Sequence, residues 1–206
     1  MTTATNWIDP VPSIIKHSSI IKHPSIIKHE LAEHARIVKN LQLDPMFLFD
    51  LYRAYSIIDA AFNNDHRVFL CGNGGSAADC QHLAAEFVVK FKAIRSPLSA
   101  IALTTDSSVL TAGGNDFGFE TIFSRQIEAH GQPGDVLLAF STSGKSPNVL
   151  KAIQQANDFA MKVIAFTGQA GIEADVDVCL KVPSSVTARI QEAHILMGHI
   201  LCELAE

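Results

Sequence analysis

The chain has 206 residues, 48% of them hydrophobic and 18% charged, with 12 Gly and 8 Pro. That length supports one compact domain with a sizeable core, and the balance excludes wholesale disorder and collagen-like or low-complexity architecture. Lys plus Arg is 16 and Asp plus Glu is 21, a formal charge of −5, and without a basic block this is a poor basis for binding nucleic acid through its phosphates.

No apolar run approaches the ~18–20 residues that a bilayer span requires. The first residues, Met1 to Ser13, show no basic segment followed by an apolar core, so neither a secretory signal nor a membrane partner is expected. The four cysteines, Cys71, Cys80, Cys179 and Cys202, form no C-x-x-C pair and match no usual zinc spacing. They are expected as reduced thiols packed like small hydrophobes in a cytosolic protein.

Near the start Ser-Ile-Ile-Lys-His recurs at Ser13–His17, Ser19–His23 and Ser25–His29. A period of six fits neither a 3.6-residue helix nor a fold-building repeat. His17, His23 and His29 would lie about 120° apart in succession on a helix, which disfavours a shared metal. Residues 1–43 are expected to form an extension, partly helical and packed on a partner subunit, and 44–206 a single domain.

From Asp44 to Asn64 apolar residues recur every three or four positions, and Asp44-Pro45 reads as an N-cap followed by proline at the first helical position. Strands are predicted at Val68–Cys71, Ser99–Leu103, Val136–Phe140, Val163–Phe166 and Val178–Val182. Helices are predicted at Ala77–Lys92, Thr105–Thr111, Phe119–His130, Ser146–Phe159 and Thr187–Leu204. Short continuous apolar strands alternating with helices indicate a parallel sheet covered on both faces, an open α/β sandwich of three layers. Ligands in such sheets bind beyond the carboxyl ends of the strands.

Two of the loops there suit a phosphate. Gly72-Asn73-Gly74-Gly75-Ser76 follows a strand and opens a helix, where unpaired N–H groups and the positive dipole end attract an anion. No Gly-Lys-Ser/Thr follows, so it is not a nucleotide P-loop. Ser141-Thr142-Ser143-Gly144-Lys145-Ser146 precedes a second helix, and its hydroxyls can surround a phosphate monoester without a buried cation. Two such loops on one sheet point to a phosphorylated small molecule.

Polar residues on two helices suit proton or metal chemistry. His82 and Glu86, four apart, share a helix face. Gln191 and His199, eight apart, share another, with Glu192 and His194 as neighbouring alternatives. These residues fit an N/O zinc site, an acid/base pair of Glu86 and His199, or two ordinary amphipathic helices. Asn115-Asp116 is read as a polar point just before a helix starting near Phe117.

Together these motifs, with Arg189-Ile190-Gln191-Glu192-x-His194-x-x-x-x-His199, resemble the phosphoheptose isomerase branch of the sugar-isomerase (SIS) domain family over about Asp44 to Glu206. The resemblance implies a five-stranded parallel sheet flanked by N-terminal helices. It implies a cytoplasmic homotetramer with active sites between subunits, one Zn²⁺ per subunit, and conversion of D-sedoheptulose 7-phosphate to D-glycero-D-manno-heptose 7-phosphate for nucleotide-activated heptose. Ser76, Ser141, Thr142, Ser143 and Ser146 would hold the phosphate, and Asn73, Gly74, Gly75, Asn115, Asp116 and Gln191 the sugar. Glu86 and His199 would be catalytic, and His82, Glu86, Gln191 and His199 would be zinc ligands. The rival within the family is a phosphosugar-binding protein that associates with the replication initiator DnaA and lacks the acid/base pair. Glu86 and His199, both present here, favour the enzyme. Sensory SIS domains of transcription regulators are a further rival, but no DNA-binding segment accompanies this chain.

Overall fold

The structure is a computed structural model that describes residues 24–206. The first two Ser-Ile-Ile-Lys-His copies, with His17 and His23, lie outside the described residues. The third falls in the opening turns of helix α1 (Pro24–Leu43). Ile37 and Leu41, one turn apart, bury the inner side of α1 in the core.

Asp44 separates α1 from α2 (Pro45–Asn63), and its Oδ1 accepts from Met46 N at 2.9 Å and Phe47 N at 3.2 Å. This is the expected N-cap, with Pro45 at the position where its missing N–H costs nothing. Leu51, Ala54, Ile58 and Ala61 then face inward at three- and four-residue spacing.

Five strands follow: β1 (Val68–Gly72), β2 (Ala100–Ala102), β3 (Val136–Ser141), β4 (Lys162–Thr167) and β5 (Val178–Lys181). All pair in parallel, in the order β2-β1-β3-β4-β5. Every residue of β1 and β3 is buried, because alternate side chains enter two different cores. Val68, Leu70, Val136, Leu138 and Phe140 pack towards α1, α2, α3 (Gly75–Val88) and α7 (Thr187–Leu204). Phe69, Cys71, Leu137 and Ala139 pack towards α5 (Ser124–His130) and α6 (Pro147–Asp158), with α4 (Ser107–Phe117) beside them. The expected three-layer sandwich is thereby formed.

Several boundaries differ from the sequence reading. The helix expected over Ala77–Lys92 runs from Gly75 to Val88. Asn115 and Asp116 belong to the last turn of α4 rather than preceding a helix. Gly118, at φ +90°, ends α4, and the helix expected over Phe119–His130 divides into a 3₁₀ turn at Phe119–Thr121 and the shorter α5. The glycine pair at 113 and 114 also hid the true length of α4, since glycine interrupts an apolar pattern without breaking the hydrogen-bonded helix.

No helix among the described residues is long and apolar enough to cross a membrane. All four cysteines are free thiols, with Cys71, Cys80 and Cys202 buried. Burial pushes the Cys71 and Cys202 thiols up to about 12.

Candidate active site

The strand order reverses direction between β1 and β3, so the chains leaving these two strands diverge and open a crevice. Both predicted phosphate loops lie there. After β1, Gly74 turns with φ +57° and α3 begins at Gly75, with Ser76 buried in its first turn. After β3, buried Ser141 donates its Oγ hydrogen to Ser146 Oγ at 3.1 Å. Ser146 stands at the cap position of α6, but its side chain makes no cap hydrogen bond. Ser143 Oγ accepts from Lys145 N at 3.2 Å. The Thr142 carbonyl accepts from Gly168 N at 3.1 Å, which ties this loop to the chain leaving β4.

The two loops are joined by side chains. Asn73 and Asn148 each donate an amide hydrogen to the other's carbonyl oxygen, both at 2.8 Å. Beside them lies a cleft of about 500 Å³ lined by Asn73, Phe119, Glu120, Ser146, Asn148 and Lys151. The first turns of α3 and α6 thus meet at one crevice, with N–H groups and hydroxyls suited to an anion.

Helices α3 and α7 run side by side in the same direction: Gly75 faces Gln191, and Leu83 faces Gly198. This parallel course brings His82 of α3 to His199 of α7, with 2.9 Å between their Nε2 atoms. Glu86 Oε1 lies 3.6 Å from His82 Nε2. Phe91 stacks on His199, with 5.3 Å between ring centroids and 27° between planes. The carboxylate and the two imidazoles therefore form one cluster, two to three turns along α3 from the phosphate crevice.

Gln191 is placed apart from the imidazoles. Its carboxamide lies against Gly75, so close that a Cβ there would stand 2.6 Å from its Nε2. Asn115 and Asp116 are exposed at the end of α4, where Asn115 Nδ2 donates to Asp116 Oδ1 at 2.7 Å. The alternatives Glu192 and His194 are otherwise engaged. Glu192 accepts from Arg189 and pairs with His34 Nδ1 at 2.7 Å, which ties α7 to α1, and hydrogen bonding from Arg189 holds its carboxyl below the usual range. His194 is fully buried against the stacked Phe140 and Phe166 rings, meeting each in a T-shaped contact at 5.8 Å, and donates from Nε2 to the Thr167 carbonyl at 3.2 Å. Burial lowers it to about 4, so it stays neutral and outside the proton chemistry.

Three contributors were missed from sequence. Asn148 looks like ordinary helix-start polarity after Ser146-Pro147. Phe91 was expected inside the Ala77–Lys92 helix, but lies past the end of α3 at Val88. Asp79, one turn before His82, keeps a buried Oδ2 with no hydrogen-bond partner, and burial raises its carboxyl to about 6 against the attraction of His82. Its spacing from Ser76 and His82 was the available signal.

The His82–His199 contact bears on metal binding. Two imidazole nitrogens 2.9 Å apart share one hydrogen, and a divalent ion could replace it, taking both lone pairs and the Glu86 carboxylate as an N/N/O set. Among the described residues, His29, Glu30 and Glu33 also bring ligand atoms within 4.8 Å of one another. They lie on the first turns of α1, in line with Ile37, where Glu30 is already paired with Arg189 of α7.

Two anion-receptive loops at the switch point of a parallel sheet, with a carboxylate–imidazole cluster on an adjoining helix pair, are the arrangement expected of a phosphosugar-handling SIS protein. The SIS domain model matches residues 49–168. The phosphoheptose isomerase of Rhodospirillum rubrum is 54% identical over 155 residues, which span 74% of this chain and 82% of that protein. The structure of phosphoheptose isomerase from Neisseria gonorrhoeae superposes with a TM-score of 0.80 at 42% identity, over 87% of this chain and 96% of that one. A phosphoheptose isomerase structure from Francisella tularensis gives 0.82 at 36% identity, with the same coverage. The chain belongs to the SIS domain family and, within it, to the phosphoheptose isomerases; it is an isomerase enzyme.

Proposed function

We propose that the chain interconverts D-sedoheptulose 7-phosphate and D-glycero-D-manno-heptose 7-phosphate through an enediolate. Ser76, Ser141, Thr142, Ser143 and Ser146, with the N–H groups opening α3 and α6, hold the phosphate. Asn73, Gly74, Gly75, Asn115, Asp116 and Gln191 orient the sugar chain. Glu86 removes a hydrogen from C1 as a proton, and the C–H electron pair becomes the C1–C2 double bond while the C2 oxygen gains a proton. Glu86 then delivers the proton to C2, the C1 hydroxyl loses its own, and the C1 carbonyl forms. His199 exchanges the protons on the two oxygens and assists ring opening.

His82, Glu86 and His199 would hold a zinc ion, one per subunit, with Gln191 as the expected fourth ligand. When bound, the ion supplies Lewis acidity to a carbonyl oxygen. Glu86 would then have to serve both as ligand and as base, and metal coordination weakens its basicity. The protein works as a cytoplasmic homotetramer with active sites shared between subunits. Exposed Met46, Phe49 and Tyr52 on α2 supply apolar surface for such an assembly. The single domain runs from residue 44 to 206, and α1, at the end of the preceding extension, packs on α7.

The observation that carries this reading is the contact of His82 with His199, Glu86 at its side, on helices leading from the phosphate crevice. A coupled assay with sedoheptulose 7-phosphate tests it. Wild type turns over, and Glu86→Gln and His199→Ala each lose at least ~10²-fold in kcat. Phosphosugar binding without turnover, with or without added zinc, would instead mark a binding protein of the DnaA-associating kind.

A further inference from the structure

His199 is held from two sides. His82 meets it edge-on at 76°, bonded through Nε2, and Phe91 lies nearly flat on it. The hydrogen bond fixes one atom of the imidazole, whereas a stacked neighbour fixes the plane of the ring.

Phe91 stands three residues beyond the end of α3, on the connection to β2, where no regular structure holds it. Glu206, just past the end of α7, supplies the anchor. Its carboxylate accepts from Phe91 N at 2.8 Å, from Lys92 N at 2.8 and 3.0 Å, and from Ala93 N at 2.8 Å. Three successive N–H groups converging on one carboxylate form an anion nest. Arg95 braces the same turn from the other side, donating to the Phe87 and Glu86 carbonyls at 2.8 and 2.9 Å. The helix that carries His199 thus also brings, seven residues later, the carboxylate that fixes the ring covering it.

We infer that Glu206 and Phe91 are positioning residues for His199: Glu206 orders the turn at residues 91–93, and Phe91 sets the plane in which the imidazole meets the substrate oxygens. The inference rests on the proton-transfer role given to His199 above. Neither residue touches the phosphate crevice, so their loss acts on turnover and spares substrate capture.

The test is kcat and KM for sedoheptulose 7-phosphate, with melting temperatures, for Phe91→Leu, Phe91→Tyr, Glu206→Gln and His199→Ala in the full chain. Phe91→Leu keeps apolar bulk but loses the flat face, and Phe91→Tyr keeps it. Glu206→Gln keeps the shape and loses the charge. The expected result is kcat lower by about tenfold in Phe91→Leu and Glu206→Gln, with KM within about twofold and near-normal kcat in Phe91→Tyr. Wild-type kcat in Phe91→Leu and Glu206→Gln, while His199→Ala is inactive, overturns the positioning role alone. So does a rise in KM matching any loss of kcat, or a melting temperature that falls in step with activity in both. Full turnover by His199→Ala removes the role of His199 itself, and the inference falls with it.

Discussion

Asn73 and Asn148 hold each other through two 2.8 Å hydrogen bonds across 75 residues of chain, and this pair clamps the β1 loop to the start of α6. Asn148 is buried, so truncation leaves the Asn73 amide without its partner in a semi-enclosed site. Asn148→Ala is expected to cost about 1–3 kcal/mol of stability. KM should rise more than kcat falls, since the phosphate loops separate while the His82–His199 cluster stays intact. Denaturant midpoints and steady-state kinetics check both parts, and an unchanged midpoint would count against the clamp.

His194 makes stability depend on pH. Burial lowers it from 6.5 to about 4, so between those values the unfolded chain binds a proton that the folded chain refuses. Stability is therefore fully present above about pH 6.5 and is lost as pH falls towards 4. At ~1.4 kcal/mol per unit, the loss amounts to roughly 3 kcal/mol. His194→Gln retains a donor for the Thr167 carbonyl without a titrating ring. Its melting temperature should fall less steeply than that of wild type over this range.

The thiols should divide by burial. Cys71 and Cys202 are pushed to about 12, and Cys80 well above its ordinary value, chiefly by desolvation. Only half-buried Cys179, 3.6 Å from Thr167 Oγ1, is open to a thiol reagent. Titration of the native protein should count at most one rapidly reacting thiol, and the denatured protein all four. Two or more rapid equivalents in the native protein would contradict the packing of α3 against the sheet.

Two glycines should respond differently to alanine. At Gly75 the added Cβ meets the far end of Gln191, a flexible side chain that can withdraw, so Gly75→Ala is expected to fold and to lose activity. At Gly144, φ is +68° and the Cβ would fall on the Gly171 carbonyl oxygen. Both backbone conformation and a rigid neighbour then oppose the change, and Gly144→Ala should lose about 2 kcal/mol or more. Comparing melting temperature with kcat for the two variants separates these effects.

Much of the fold was legible because buried parallel strands are continuous apolar runs. Val68–Gly72 and Val136–Ser141 lie within a residue of their predicted limits. The loops after them were legible as well, since Gly74-Gly75-Ser76 and the serine-rich turn have few structural alternatives. The expected Phe119–His130 helix divides after Thr121, because Phe119–Thr121 form a 3₁₀ turn and α5 starts only at Ser124, a break that no apolar count reveals. Among the site residues, His82, Glu86 and His199 came together as expected. Gln191, on the same face of α7 by spacing, lies beside Gly75, eight residues or about 12 Å of helical rise before His199.

The amino-acid order alone determined the layered α/β class, the capped start of α2, and the two anion-receptive turns, since each depends on contacts within a few residues. Only the tertiary structure decided that α3 and α7 run in parallel, so that His82 meets His199 across 117 residues, and that Glu206 reaches back to fix Phe91. Periodicity states which side of a helix is buried, but the neighbour that buries it is chosen by the packing of the whole chain.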